Sequence, residues 1–186
     1  MAALLAPGLV VAQTEIDESE IQELLRTKMR TVQHMALNPA LIQAVRHQNA
    51  EALDMNNIKQ RDTDWKATKA LTPFKRSLQE NHAGKMLKRY VVRNPSLNEA
   101  FLTDNKGANV AAFPATSDYW QGDEEKWVGS FNEGSGQLFL GPVERDESTN
   151  TYAVQVSAPL FHQGKTIGVL VVGVTLDYLS TKRDSN

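Results

Sequence analysis

From Thr14 to about Asn94 the apolar residues recur at helical spacing. Ile21, Leu24, Leu25, Val32, Met35 and Ala36 share one stripe, which predicts a long first helix of about six turns. Thr14 followed by Asp17 supplies a capping box for its start. Asn38-Pro39 ends that helix and opens a second, because asparagine caps well and proline fits the first helical position. Leu41, Ile42 and Val45 form the second stripe. A third helix is predicted from about Ile58 to Leu71, and Thr72-Pro73 repeats the cap-then-proline start for a fourth. Gly84 interrupts, and "KMLKRYVVRN" adds a further helical segment that stops at Asn94-Pro95.

After Leu97 the period changes to that of strands. "EAFLTD" and "ANVAAF" flank the turn sequence "DNKG" and predict a hairpin. "QLFLG" is a third strand. "TYAVQVSAPLF" and "KTIGVLVVGVTL", joined by His162-Gln163-Gly164, predict a second hairpin and bring the total to five strands. In the fourth strand Tyr152, Val154, Val156 and Ala158 point one way, and Ala153, Gln155 and Ser157 the other. The fifth is apolar or glycine almost throughout, as suits a central strand covered on both faces. The predicted fold is α+β: a long N-terminal helix and helical segments packed on a five-stranded antiparallel sheet, with the insertion 114–132 over the other face.

With 20 basic and 22 acidic side chains in 186 residues, the formal charge is -2. No general field favours nucleic acid, and no RNA-binding aromatic signature, zinc-finger spacing or basic DNA-reading helix is present. Cysteine is absent, which excludes disulfides, thiolate metal sites and cysteine nucleophiles. Residues 1–12, "MAALLAPGLVVA", are small and apolar, and Val10-Val11-Ala12 has the small-x-small form of a signal cleavage site, so they read as the remnant of an export signal. They depart from the usual pattern in having no basic residue ahead of the apolar run, Arg26 being the first. "TIGVLVVGVTL" is too short for a membrane span. The organisation expected is therefore 1–12 export remnant, 14–94 helical arm and helical part, 95–180 sheet with its cover, and 181–186 tail.

"TSDYWQGDEEKW", residues 116–127, sets two tryptophans and a tyrosine in a polar loop. Rings in such a place gain little unless they cover something, so Tyr119, Trp120 and Trp127 are candidate pocket walls, each with one directed donor. Trp127 suits packing under its own helix equally well. Gln155 and Ser157 form a candidate pocket floor, and Phe139 borders the same space. No carboxylate stands from Ala153 to Ser157, which favours a short carboxylate or neutral ligand over an amino acid. Arg89, Arg93 and Lys126 are reserve cations for such a ligand. Asp118, Asp123, Glu124 and Glu125 lack calcium-loop spacing; Asp123 reads as a helix N-cap. His34, His47, His82 and His162 form no pair at ligand spacing, so no metal and no cofactor is expected. No nucleophile elbow, P-loop or dinucleotide fingerprint is present, and no enzyme is expected.

"FLTDNKGANVA", "TSDYWQGDEEKW", "ERDEST" and "APLFHQGKTIGVLVVGV", in that order and at these separations, resemble the Cache family of PAS-like extracytoplasmic sensor domains of bacterial receptors. The similarity covers about residues 85–180, and the helical arm agrees in kind only. The resemblance implies a periplasmic module that binds a small organic metabolite, often a carboxylate or an amino acid, between the sheet and its cover. It implies a membrane-bound receptor or kinase as signalling partner. A ligand-free interaction protein of the same fold, dimerising through the long N-terminal helix, is the second reading, because the Ile21 to Ala36 stripe would serve such a contact.

Overall fold

The computed structural model describes residues 18–146 and 151–176, and in them the helical half comes first. Helices α1 (Glu18–Ala36), α2 (Pro39–Ala50), α3 (Met55–Lys66), α4 (Pro73–Glu80) and α5 (His82–Arg93) precede strands β1 (Leu97–Thr103) and β2 (Asn109–Phe113). Helix α6 (Glu125–Phe131) and a short 3-10 turn follow, and then β3 (Phe139–Asp146), β4 (Thr151–His162) and β5 (Lys165–Thr175). The export segment, the Thr14–Asp17 capping box, the side chain of Ile21 and the tail lie outside the described residues.

The cap-then-proline starts hold. Asn38 accepts the N–H of Ala40 ahead of Pro39, and Thr72 accepts that of Lys75 ahead of Pro73. Helix α3 departs from the expected bounds: Asp54 caps it by accepting the N–H of Asn57, and it ends at Lys66. Its polar first turn, Met55-Asn56-Asn57, carries no hydrophobic period to mark it. The break before α5 falls at Asn81, whose side chain accepts the N–H of Gly84, so Gly84 lies inside the helix and does not interrupt it. A Cβ there would stand 2.2 Å from the Leu78 carbonyl oxygen, which is why the close α4–α5 corner takes glycine. Glu124, not Asp123, occupies the N-cap of α6, without a capping side-chain bond.

The five strands form one antiparallel sheet in the order β2-β1-β5-β4-β3. The β4–β5 turn takes positive φ at Gln163 (51°) and Gly164 (74°), a two-residue connection whose twist matches the strands it joins. β3 runs on past Gly141, with its register against β4 shifting between Leu140 and Val143. The shift absorbs Pro142, which has no N–H to give to a ladder.

β5 is central and buried on both sides, as its sequence predicts. One sheet face, with Ala100, Leu102, Val154, Val156, Leu170 and Val172, packs on α1, α2 and α5 through Leu25, Val32, Leu41, Val45 and Leu87. The described part of the α1 stripe is thus used within the chain. On the other face Phe101, Ala112, Val169 and Val171 pack against Trp127 and Phe131 of α6.

Candidate functional site

Strand pairing aligns Ala112, Phe101, Val171, Ser157 and Phe139 in one row across the five strands. Residues that pair directly in an antiparallel sheet share a face, so this row lies beneath α6. Trp127 and Phe131, four residues apart on α6, stack with centroids 4.6 Å apart and press on the row. Gly129 faces Phe139, where a Cβ would stand 2.4 Å from the ring, so the missing side chain lets α6 approach the sheet. Ser157 is fully buried there, and its Oγ has no hydrogen-bond partner. A buried hydroxyl without a partner is costly and is the kind of group a ligand or water satisfies.

The next row along, Glu99, Gly173 and Gln155, escapes the helix and opens as a cavity of about 190 Å³. Asn98, Gly141 and Glu144 complete its polar and glycine lining, with Pro142 and Ala153 as apolar walls. Gln155 Nε2 donates to Glu99 Oε1 at 2.7 Å. Read along β4 alone, the row from Ala153 to Ser157 has no carboxylate. The fold brings two into the same space from strands on either side, Glu99 on β1 and Glu144 on β3, which no spacing within β4 signals.

Tyr119 and Trp120 stand elsewhere. Tyr119, 1% exposed, packs in a separate cluster with Ile58, Trp65 and Leu78, its ring 5.3 Å from Phe74 and 5.9 Å from Trp65. Trp120 donates Nε1–H to the Lys106 carbonyl at 2.7 Å, and the Lys59 ammonium lies 3.0 Å from its ring centroid. The structure therefore divides the six residues expected at one site. Phe139 and Ser157 share the row under α6, Trp127 packs on the Phe101 and Val171 part of that row, Gln155 lies one row along, and Tyr119 and Trp120 anchor the loop to α3.

That anchor is a buried carboxylate on α3, outside the candidate residues of the sequence. Asp62 Oδ1 accepts the backbone N–H of Tyr119 (2.9 Å) and of Trp120 (3.0 Å), and Lys66 Nζ lies 2.7 Å from Oδ2. Burial pushes the Asp62 carboxyl up. The Lys66 ammonium and the two N–H donors outweigh it and hold the group below its ordinary value of 3.8. Burial raises the Tyr119 phenol above 10.0 against the opposing pull of Arg61. An acid four residues before a lysine was the available signal, but it is shared by ordinary surface pairs.

The reserve cations do not reach the cavity. Arg89 and Arg93 line an exposed groove on α5 with Lys85, Lys88 and Val92, and α5 packs on the opposite sheet face. Lys126 lies 5.6 Å from the Phe101 ring and 3.9 Å from Glu124. Among the described residues no group of three or more His, Asp or Glu stands close enough to hold a metal ion. Among them also, no helix is long and apolar enough to cross a membrane.

No protein-family model matches the chain, and none of the curated proteins does. Among solved structures it is similar to the sensor domain of the V. cholerae histidine kinase DctB, at 12% identity and a TM-score of 0.48, over 85% of this chain and 51% of that one. It is similar to the ligand-binding domain of the Pseudomonas aeruginosa PAO1 amino acid chemoreceptor PctC in complex with GABA, at 17% identity and a TM-score of 0.48, over 88% and 58%. A third is the sensory domain of the Campylobacter jejuni chemoreceptor Tlp3 with isoleucine bound, at 18% identity and a TM-score of 0.41, over 89% and 66%. The chain thus spans between 51% and 66% of the length of these solved structures, which are sensor domains of a histidine kinase and of chemoreceptors.

Proposed function

We propose that this chain is a ligand-sensing domain of the Cache kind. It takes a small organic metabolite on the sheet face beside α6, works outside the cytoplasm, and passes its state to a membrane-bound receptor or kinase. The observation that carries this reading is the cavity against Gln155, with the partnerless Ser157 hydroxyl one row away under a helix that rests on the sheet through a glycine. Gln155 and Ser157 serve as polar contacts, and Trp127 and Phe139 as the apolar border. Tyr119 and Trp120 hold the covering loop in place. A short carboxylate, the ligand that β4 alone favours, would meet two glutamates in this cavity and, among the described residues, no lining cation.

A thermal-shift screen of the full chain against small metabolites tests the reading. A ligand at a hundred times its dissociation constant adds about 2.7 kcal/mol to the stability of the folded state. Gly173→Val is the control, because a Cβ at that position would stand 2.2 Å from Asn98 Oδ1 and a valine would fill the cavity. Binding that survives Gly173→Val undiminished would place the ligand elsewhere and sink the assignment.

A further inference from the structure

The cavity beside α6 is one-sided in its chemistry. Glu99 and Glu144 contribute two carboxylates, Asn98 and Gln155 two carboxamides, and among the described residues no Lys, Arg or His lines it. Gln155 already gives an N–H to Glu99, so acceptors predominate among what remains. Among the described residues neither Glu144 nor Asn98 has a side-chain partner. Depth comes from glycine. A Cβ on residue 173 would stand 2.2 Å from Asn98 Oδ1 and 2.6 Å from Glu99 Cγ, so only its absence leaves both side chains their places at the cavity wall.

Negative charge in a partly enclosed space of this size calls for a cation of matching donor count. A metal ion is poorly served, because no three acidic or imidazole groups converge among the described residues. An organic ammonium is better served: it carries one positive charge and three N–H donors, and carboxylates and carboxamide oxygens are the acceptors this lining offers. Pro142 and Ala153 offer apolar surface for an alkyl chain. A carboxylate on the same ligand would find no counter-charge among the described lining residues and would be repelled by Glu99 and Glu144.

We infer that this cavity takes a primary alkylammonium ligand and discriminates against ligands that also carry a carboxylate. The inference rests on the sensing role proposed above and names the ligand class of that same site.

Titrations of the isotopically labelled full chain followed by amide NMR test it, with pentylamine, 5-aminopentanoate and pentanoate as probes. Pentylamine is expected to move the Gly141, Gly173 and Gln155 signals saturably. Pentanoate is expected to leave them unmoved, and 5-aminopentanoate to bind at least about tenfold more weakly than the amine. Glu99→Gln and Glu144→Gln should each weaken the amine about tenfold while the rest of the spectrum stays in place, and added salt should weaken it further. Pentanoate moving the same signals as strongly as the amine, or both glutamine variants binding the amine undiminished, would overturn the ligand class and leave the sensing role standing. If the amine fails but a neutral or anionic metabolite saturates the same glycines, the outcome is the same. If nothing in a broad metabolite set moves them, the sensing role at this site falls as well.

Discussion

Asp62 Oδ1 accepts the backbone N–H of Tyr119 at 2.9 Å, tying the middle of α3 to a loop 57 positions further along the chain. The same oxygen takes the N–H of Trp120, and Lys66 neutralises the carboxylate from one helical turn away. One side chain thus holds the loop that leads into α6. Asp62→Ala leaves two backbone donors and a lysine without their acceptor, and is expected to cost about 3 kcal/mol in urea unfolding, with the slope unchanged. Asp62→Asn keeps an acceptor and should cost less. Equal midpoints for Asp62→Ala and the wild type would show that the rings and the backbone bonds to Gly107 and Asn109 hold the loop without it.

The same carboxylate makes stability depend on acid. Its folded pKa lies below the ordinary 3.8, so the unfolded chain takes up the proton first as pH falls. The contribution is fully present above 3.8 and is lost as pH drops through the folded value. The gap in unfolding free energy between wild type and Asp62→Asn should therefore be widest near neutrality and narrow as pH falls below 3.8. A gap that stays constant across that range would mean the carboxylate's charge plays no part.

Tyr119 gives a complementary signal at the alkaline end. Burial favours the neutral phenol, so its folded pKa stands above 10.0. The contribution is intact below 10.0 and lost as pH rises through the folded value. Tyrosinate absorbance of wild type minus Tyr119→Phe should show a phenol that ionises above 10.0. A difference curve centred at the ordinary value would put Tyr119 in contact with solvent.

Ser157→Ala separates stability from binding. The hydroxyl is buried and has no partner in the ligand-free chain, so its removal should leave stability unchanged or raise it by about 1 kcal/mol. Ligand affinity should fall if the hydroxyl is a contact. A variant destabilised by more than that amount would reveal a partner for the hydroxyl in the free protein.

Contact between α6 and the sheet runs through Gly129 and Phe139. Gly129→Ala places a methyl group where the Phe139 ring stands, and should cost about 1–3 kcal/mol. Phe139→Leu in the same chain should recover part of the loss, since the smaller side chain makes room. Strict additivity of the two substitutions in a double-mutant cycle would refute the contact.

Much of this architecture is legible in the order of residues. The two hairpins, the central position of the largely apolar fifth strand and the proline-marked starts of α2 and α4 each follow from interactions within a few residues, and the structure has all of them. The start of α3 and the break at Asn81 were not legible. Both are set by polar capping side chains, Asp54 and Asn81, which look like any other polar residue until the backbone turns toward them. The candidate site was legible in part. Trp127, Phe139 and Ser157 do fall on one side of the sheet, because strand alternation and helix spacing place them there. Tyr119 left the set because Trp65 and Phe74, 54 and 45 positions before it, offered rings to pack against.

By itself the sequence determined which segments become helix or strand and which way each strand residue faces, because those choices are made between near neighbours. Only the tertiary structure decided how the two hairpins and β3 join into one sheet, and with that the charge of the cavity. Glu99 and Glu144 sit 45 positions apart and neither belongs to β4, yet they border the space before Gln155. Electrostatic character depends on distance in space, and pairing between β1, β5, β4 and β3 sets those distances.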